Sequence, residues 1–416
     1  MHYCMQYLIY CMALMHFTPT NIEDLPTPCC LIDKAKMQRN IARLSAHIGN
    51  LQCTLRPHVK THKSIEVTQA IIDAGNVKGI TVSTLKEADY FFKHGMNDIL
   101  YAVGITPNKI DHVAQLIEQG CDLTIVIDNE DMLSLVLDKM TKHNCVFKVI
   151  IELDTDGHRS GVNPHSDALL SIAKHISNSS HAKFEGVMTH AGESYACFTE
   201  KAKQDMAAQE RDLTLHAVKR LSECGITCNT VSIGSTPTAF AVDQLDGITE
   251  VRAGVYVFFD LVMAGLGVCD IDDIAMSVLG TVIGHQKDKG WVITDAGWMA
   301  MSRDRGTAGH ANDYGYGLVA PSSSKDKCYI MSDANQEHGI ITEVSHASSE
   351  SSSKGPSKMQ QGDQTKNTVD IITHFPAAKA IEILPNHACA TAAQYHHYYV
   401  VENGVAVDKW HSIGGW

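Results

Sequence analysis

The sequence of 416 residues contains no uninterrupted apolar run of 18, so no membrane-spanning helix is expected. It has no C-x-x-C pair, and its 13 cysteines follow no regular spacing. Reduced thiols in a cytoplasmic protein are therefore expected rather than a disulfide framework. Positive charge is scarce. Lys plus Arg number 34 against 47 Asp plus Glu, a net charge of −13, which argues against nucleic acid as a partner. No internal repeat is visible. Residues 1–17 are apolar but lack both a basic leader and a small-residue cleavage site. They read as an overlong gene start, and residues 1–24 as an extension outside the fold.

What is present is enough for a sizeable core, with 44% apolar and 19% charged residues in 45.5 kDa. That length suits two domains, or one large barrel with an appendage. The 23 histidines are unusually many and supply neutral metal ligands and proton carriers near pH 7. From residue 28 to about 268, short β-branched runs alternate with helical patterns. Strands are expected at 29–33, 55–61, 79–84, 98–103, 123–128, 146–154, 184–191 and 230–236. Eight such steps predict an α/β fold with a closed (β/α)8 barrel over 25–270. After about residue 275, short alternating runs broken by glycine predict an antiparallel β domain over 271–416. Residues 345–366 are Ser-rich and aperiodic, as in a flexible insertion.

Four motifs could carry chemistry. RPHVKTHK at 56–63 follows a predicted strand, where barrel enzymes place catalytic groups, and Lys60 is a candidate nucleophile toward a carbonyl cofactor. Composition alone reads the same octet as a solvated basic turn. GSTPT at 234–238 offers a Gly-Ser-Thr turn suited to phosphate. HRSG at 158–161 and THAGESY at 189–195 put polar groups at further strand ends, as functional groups or as capped turns. In PNHACAT at 385–391, an extended chain would bring His387 and Cys389 to one face. An imidazole with a thiolate favours zinc, and two ligands leave positions open for substrate. The bland reading is a half-buried histidine beside a core cysteine. MSRDRGT at 301–307 either orients a substrate carboxylate or forms a loop ion pair.

Together these motifs resemble the fold-type III pyridoxal-phosphate enzymes related to D-serine dehydratase and D-threonine aldolase, over about residues 25–410. The resemblance implies an alanine racemase-like N-terminal barrel, a C-terminal β domain and a homodimer. It implies that Lys60 carries the cofactor, with Arg159, His190 and Tyr195 beside its ring. Gly234, Ser235, Thr236 and Tyr256 would hold its phosphate. His387 and Cys389 would hold zinc or another divalent metal. His-x-Cys is similar to the zinc-dependent dehydratases, whereas the aldolases tend to carry His-x-Asp. The expected activity is therefore elimination from a D-3-hydroxy amino acid, with Lys60 as base at Cα, giving a 2-oxo acid and ammonia. The alternatives are a metal-dependent D-threonine aldolase, a non-catalytic pyridoxal-phosphate-binding protein, and an amino-acid racemase.

Overall fold

The computed structural model describes residues 17–320, 328–344 and 371–416. The Ser-rich stretch 345–366 and residues 1–16 lie outside these. Eight parallel strands in sequence order form a closed barrel: Thr54–Pro57, Ile80–Val82, Asp98–Gly104, Asp122–Ile127, Phe147–Leu153, Ala182–Thr189, Thr230–Ile233 and Glu250–Ala253. Single bridges from Leu55 to Val77 and from His58 to Thr81 close the ring between first and second strands. The helices that separate the strands cover it from outside. Helix Lys34–Asn50 shows why they form: Asp33 caps it by accepting from the Lys36 N–H at 2.9 Å. Its Met37, Ile41, Leu44 and Ile48 recur at helical spacing and are buried in the core.

Inside, the barrel is divided. Leu100, Val126, Ile150 and Met188 form an apolar cluster on one side. Opposite them runs a buried polar ladder. Arg56 donates through Nε to both oxygens of Glu250 at 2.8 Å and reaches Asp98 at 2.8 Å. Ser232 donates to Glu250 at 2.8 Å, and Arg252 donates to Ser232 at 2.7 Å. Glu250 is fully buried, so removing Arg56 leaves an uncompensated charge. An Arg56→Met variant is expected to lose about 3–5 kcal/mol of stability. Urea unfolding checks this, and an unchanged midpoint would contradict it.

The second sheet is mixed and contains ten strands. Six of them close on themselves, because Met276–Gln286 pairs with both Trp291–Thr294 and Ala380–Leu384. Two expectations from sequence are corrected here. Strand Cys29–Asp33 is not a barrel strand; it lies antiparallel to Met276–Gln286 and parallel to His397–Glu402. The barrel's eighth strand is instead Glu250–Ala253, beside Thr54–Pro57. Part of the expected N-terminal extension also enters this sheet, since Thr20–Asn21 pairs with Val405–His411. Among the described residues, no helix is long and apolar enough to cross a membrane.

The sheets meet at the barrel mouth. Leu261 and Val262 donate backbone N–H groups to Pro385 and Asn386 at 3.1 and 3.2 Å. Asp260, buried, accepts from the Ala388 N–H at 2.9 Å. The segment carrying His387 and Cys389 is thus fastened to the end of the barrel.

Candidate active site

A cavity of about 480 Å³ opens at the C-terminal ends of the barrel strands, under the second sheet. Lys60, Arg159, His190, Tyr195, Gly234, Ser235, Thr236, His387 and Cys389 all line it. Tyr256 is not among the lining residues; it is fully buried, and its hydroxyl is without a partner.

Lys60 sits on a 3-10 turn, Val59–Thr61, that follows the first barrel strand, and its side chain is exposed to the cavity. Of the surrounding octet only His58 and Lys60 face this space. Arg56 points down the barrel, Lys63 pairs with Glu87 at 3.4 Å, and His62 is buried edge-on to Phe258. Residues 56–63 are therefore not a solvated turn. Burial, then the nearby Lys60 and Arg252 cations, hold the His58 imidazole neutral, well below its usual range. His190 donates through Nδ1 to the Gly234 carbonyl at 3.1 Å, and burial pushes its pKa down to about 3. Two neutral imidazoles and one amine share a wall.

The Gly234–Thr236 turn is more occupied than its sequence suggests. Glu210 accepts from the Gly234 N–H at 2.9 Å, and Thr238 accepts from the Ser235 N–H at 3.0 Å in a capping box. Gly234 is required: its φ is +131°, and a Cβ there would lie 2.3 Å from the Arg252 carbonyl. Among the buried groups here without a partner are the hydroxyls of Thr236 and Tyr256. Buried hydroxyls are normally satisfied, so both are suited to acidic oxygens of a ligand. With a lysine amine on the same wall, the residues fit a flat aldehyde that carries a phosphate.

On the other wall, His387 and Cys389 converge, but not by strand alternation. His387 is extended and caps a short helix, Ala388–Ala392, whose first turn holds Cys389. A strand-to-helix corner brings the two together. Asp304 contacts His387 Nδ1 at 2.6 Å, and Cys389 Sγ lies 3.1 Å from Thr61 Oγ1. Burial disfavours charge on His387, but Asp304 and the Cys389 thiolate outweigh it and raise its pKa. Burial likewise opposes the thiolate, yet His387 and Lys60 pull the Cys389 pKa below its usual value. The donor set is an imidazole and a thiolate in contact, which fits a borderline-soft divalent metal such as zinc. With Nδ1 engaged, Nε2 is the free ligand atom. Among the described residues, no group of three or more His, Cys, Asp or Glu is gathered to hold an ion.

Two lining residues, Arg252 and Asp260, escape sequence reading, while His58 and Asp304 sit inside motifs already singled out. Arg252 carried a signal, standing at a strand end in RAGVYVF. MSRDRGT splits its charges: Asp304 enters the site, Arg305 pairs with Asp313 at 2.9 Å, and Arg303 stacks on Trp298. Asp304→Asn is expected to weaken metal binding by about 10–100-fold while leaving the Lys60 wall intact. Titration against a chelating dye measures it, and wild-type affinity would contradict the assignment.

Comparison with known proteins agrees with this architecture. Residues 32–262 match the alanine racemase N-terminal domain, and 275–401 match the serine dehydratase domain. D-threo-3-hydroxyaspartate dehydratase of Delftia sp. (strain HT23) is 46% identical over 94% of this chain and 98% of its own. Its solved structure superposes with a TM-score of 0.86 at 45% identity, covering 95% and 100% of the two chains. A variant of a D-threo-3-hydroxyaspartate dehydratase, solved in a metal-free form, superposes with a TM-score of 0.87 at 45% identity, covering 95% and 100%. D-serine dehydratase of Dictyostelium discoideum is 29% identical over 92% and 95%. The chain belongs to the fold-type III pyridoxal-phosphate enzymes, in the group that holds the D-serine dehydratases and D-threonine aldolases.

Proposed function

We propose that the chain is a D-3-hydroxy amino acid dehydratase that uses pyridoxal phosphate on Lys60 and zinc on His387 and Cys389. The observation that carries this reading is the pairing of an exposed lysine amine with a His-x-Cys donor pair in one cavity. The Delftia relative is a dehydratase, which supports elimination, and a variant of a D-threo-3-hydroxyaspartate dehydratase is described in a metal-free form, which supports a metal.

When bound, pyridoxal phosphate supplies an electron sink for charge at Cα, and a divalent metal supplies a Lewis acid for the β-oxygen. Lys60, the lysine amine that lines the cavity, removes the Cα proton. The His58 and His190 imidazoles stay uncharged, so they can pack against the ring or accept a hydrogen bond without adding positive charge to the site. Thr236 and Tyr256 would hold the phosphate through their free hydroxyls, beside Gly234 and Ser235, and Arg159, His190 and Tyr195 would flank the ring. Asp304 holds the His387 ring through Nδ1, which leaves Nε2 as the ring nitrogen for a metal. Loss of the Cα proton and of the β-hydroxyl as water leaves an enamino acid, which hydrolyses to a 2-oxo acid and ammonia.

The protein is read as a cytoplasmic homodimer, a setting in keeping with 11 free cysteines among the described residues. Incubation with D-serine and with D-threo-3-hydroxyaspartate tests the activity. Pyruvate or oxaloacetate with equimolar ammonia is expected from at least one of them. Release of neither oxo acid from either compound would refute the proposal.

A further inference from the structure

The turn that carries Lys60 also touches the metal wall. Thr61, one residue on, is fully buried, and its hydroxyl lies 3.1 Å from Cys389 Sγ. The turn cannot drift away from that contact, because it is held on both sides. His58 N–H donates to the Ala253 carbonyl at 2.8 Å on the barrel side. On the other side Tyr398 and Ser412 donate hydroxyls to the His62 carbonyl at 2.7 and 3.1 Å, and Ile413 N–H donates to Lys63 at 3.0 Å. Cys389 is held just as firmly, since Asp260 accepts from the adjacent Ala388 N–H. Two rigid segments from different domains therefore meet at one O–H···S contact. A hydroxyl that donates to a thiolate makes a charge-assisted hydrogen bond, and an outer-shell donor of this kind orients a metal ligand.

We propose that Thr61 is a positioning residue that aims the Cys389 sulfur at the cavity and joins the metal site to the Lys60 turn as one unit. The proposal rests on the reading that His387 and Cys389 hold a divalent metal. It makes zinc affinity depend on a hydroxyl from the cofactor-bearing turn. It also makes the absorbance of the Lys60-bound cofactor respond to zinc.

The test is zinc titration of the pyridoxal-phosphate-loaded enzyme against a chromophoric chelator, with the cofactor spectrum recorded at each point. Wild type, Thr61→Val, Thr61→Ala and Thr61→Ser are compared. Thr61→Val keeps the shape and removes only the hydroxyl, Thr61→Ala guards against a packing fault of valine, and Thr61→Ser keeps the hydroxyl. Zinc affinity is expected to fall about 10-fold in the valine and alanine variants and to recover in the serine variant. The zinc-induced change in absorbance is expected in wild type and Thr61→Ser only. Wild-type affinity in both Thr61→Val and Thr61→Ala would overturn the role of Thr61 while leaving the metal site standing. Failure of the wild-type enzyme to bind zinc would overturn both, and oxo-acid production from D-serine, measured separately, would still report on elimination.

Discussion

Replacing Lys60 with alanine is expected to lower turnover by at least about 10⁴-fold, and dialysed protein is expected to lose its cofactor absorbance. The size of the effect follows from two tasks on one atom. Lys60 Nζ is the amine that the cavity offers to an aldehyde, and the same amine is placed to move the proton at Cα. Positioned general bases contribute about 10²–10⁴-fold by themselves, and loss of the anchoring bond adds to this. No neighbour takes over. His58 and His190 are neutral, but His190 Nδ1 is committed to the Gly234 carbonyl. Arg252 is tied to Ser232 and remains a cation. A Lys60→Ala variant that retained both absorbance and turnover would remove the basis for the whole mechanism.

The second large effect concerns the opposite wall. Chelation of the wild-type enzyme is expected to reduce elimination by about 10³-fold, reversed by added zinc, and Cys389→Ala to do so irreversibly. Hydroxide is a poor leaving group, and Lewis-acid stabilisation of the oxygen is worth several kcal/mol, with each 1.36 kcal/mol equal to a factor of 10 in rate. Cofactor absorbance is expected to persist in both cases, because Lys60 and the Gly234–Thr236 turn lie on the barrel. That separates loss of metal from loss of cofactor. Full activity in metal-stripped enzyme would mean that His387 and Cys389 serve the fold alone.

Much of this was legible in the sequence, and the failures have physical causes. Short, near-continuous β-branched runs located most barrel strands, because burial on both faces demands them. Glu250–Ala253 was missed since two of its four residues are charged; Glu250 and Arg252 point into the barrel, where their partners are Arg56 and Ser232. Cys29–Asp33 reads like a barrel strand, because apolar runs do not reveal which sheet they join. His387 and Cys389 were brought together by their spacing, but through a corner at a helix start rather than a strand. Asp304 and Thr61 lie 83 and 328 residues from the side chains they touch, and nothing local marks such pairs.

The most direct test of the central claim uses D-threonine alone, with purified protein, pyridoxal phosphate and zinc, and a chelator-treated control. One substrate then reports which bond breaks. The account predicts 2-oxobutyrate and ammonia, lost on chelation and restored by zinc. Glycine and acetaldehyde would contradict it, because the same cavity would then be cleaving Cα–Cβ and the His-x-Cys pair would not mark a dehydratase.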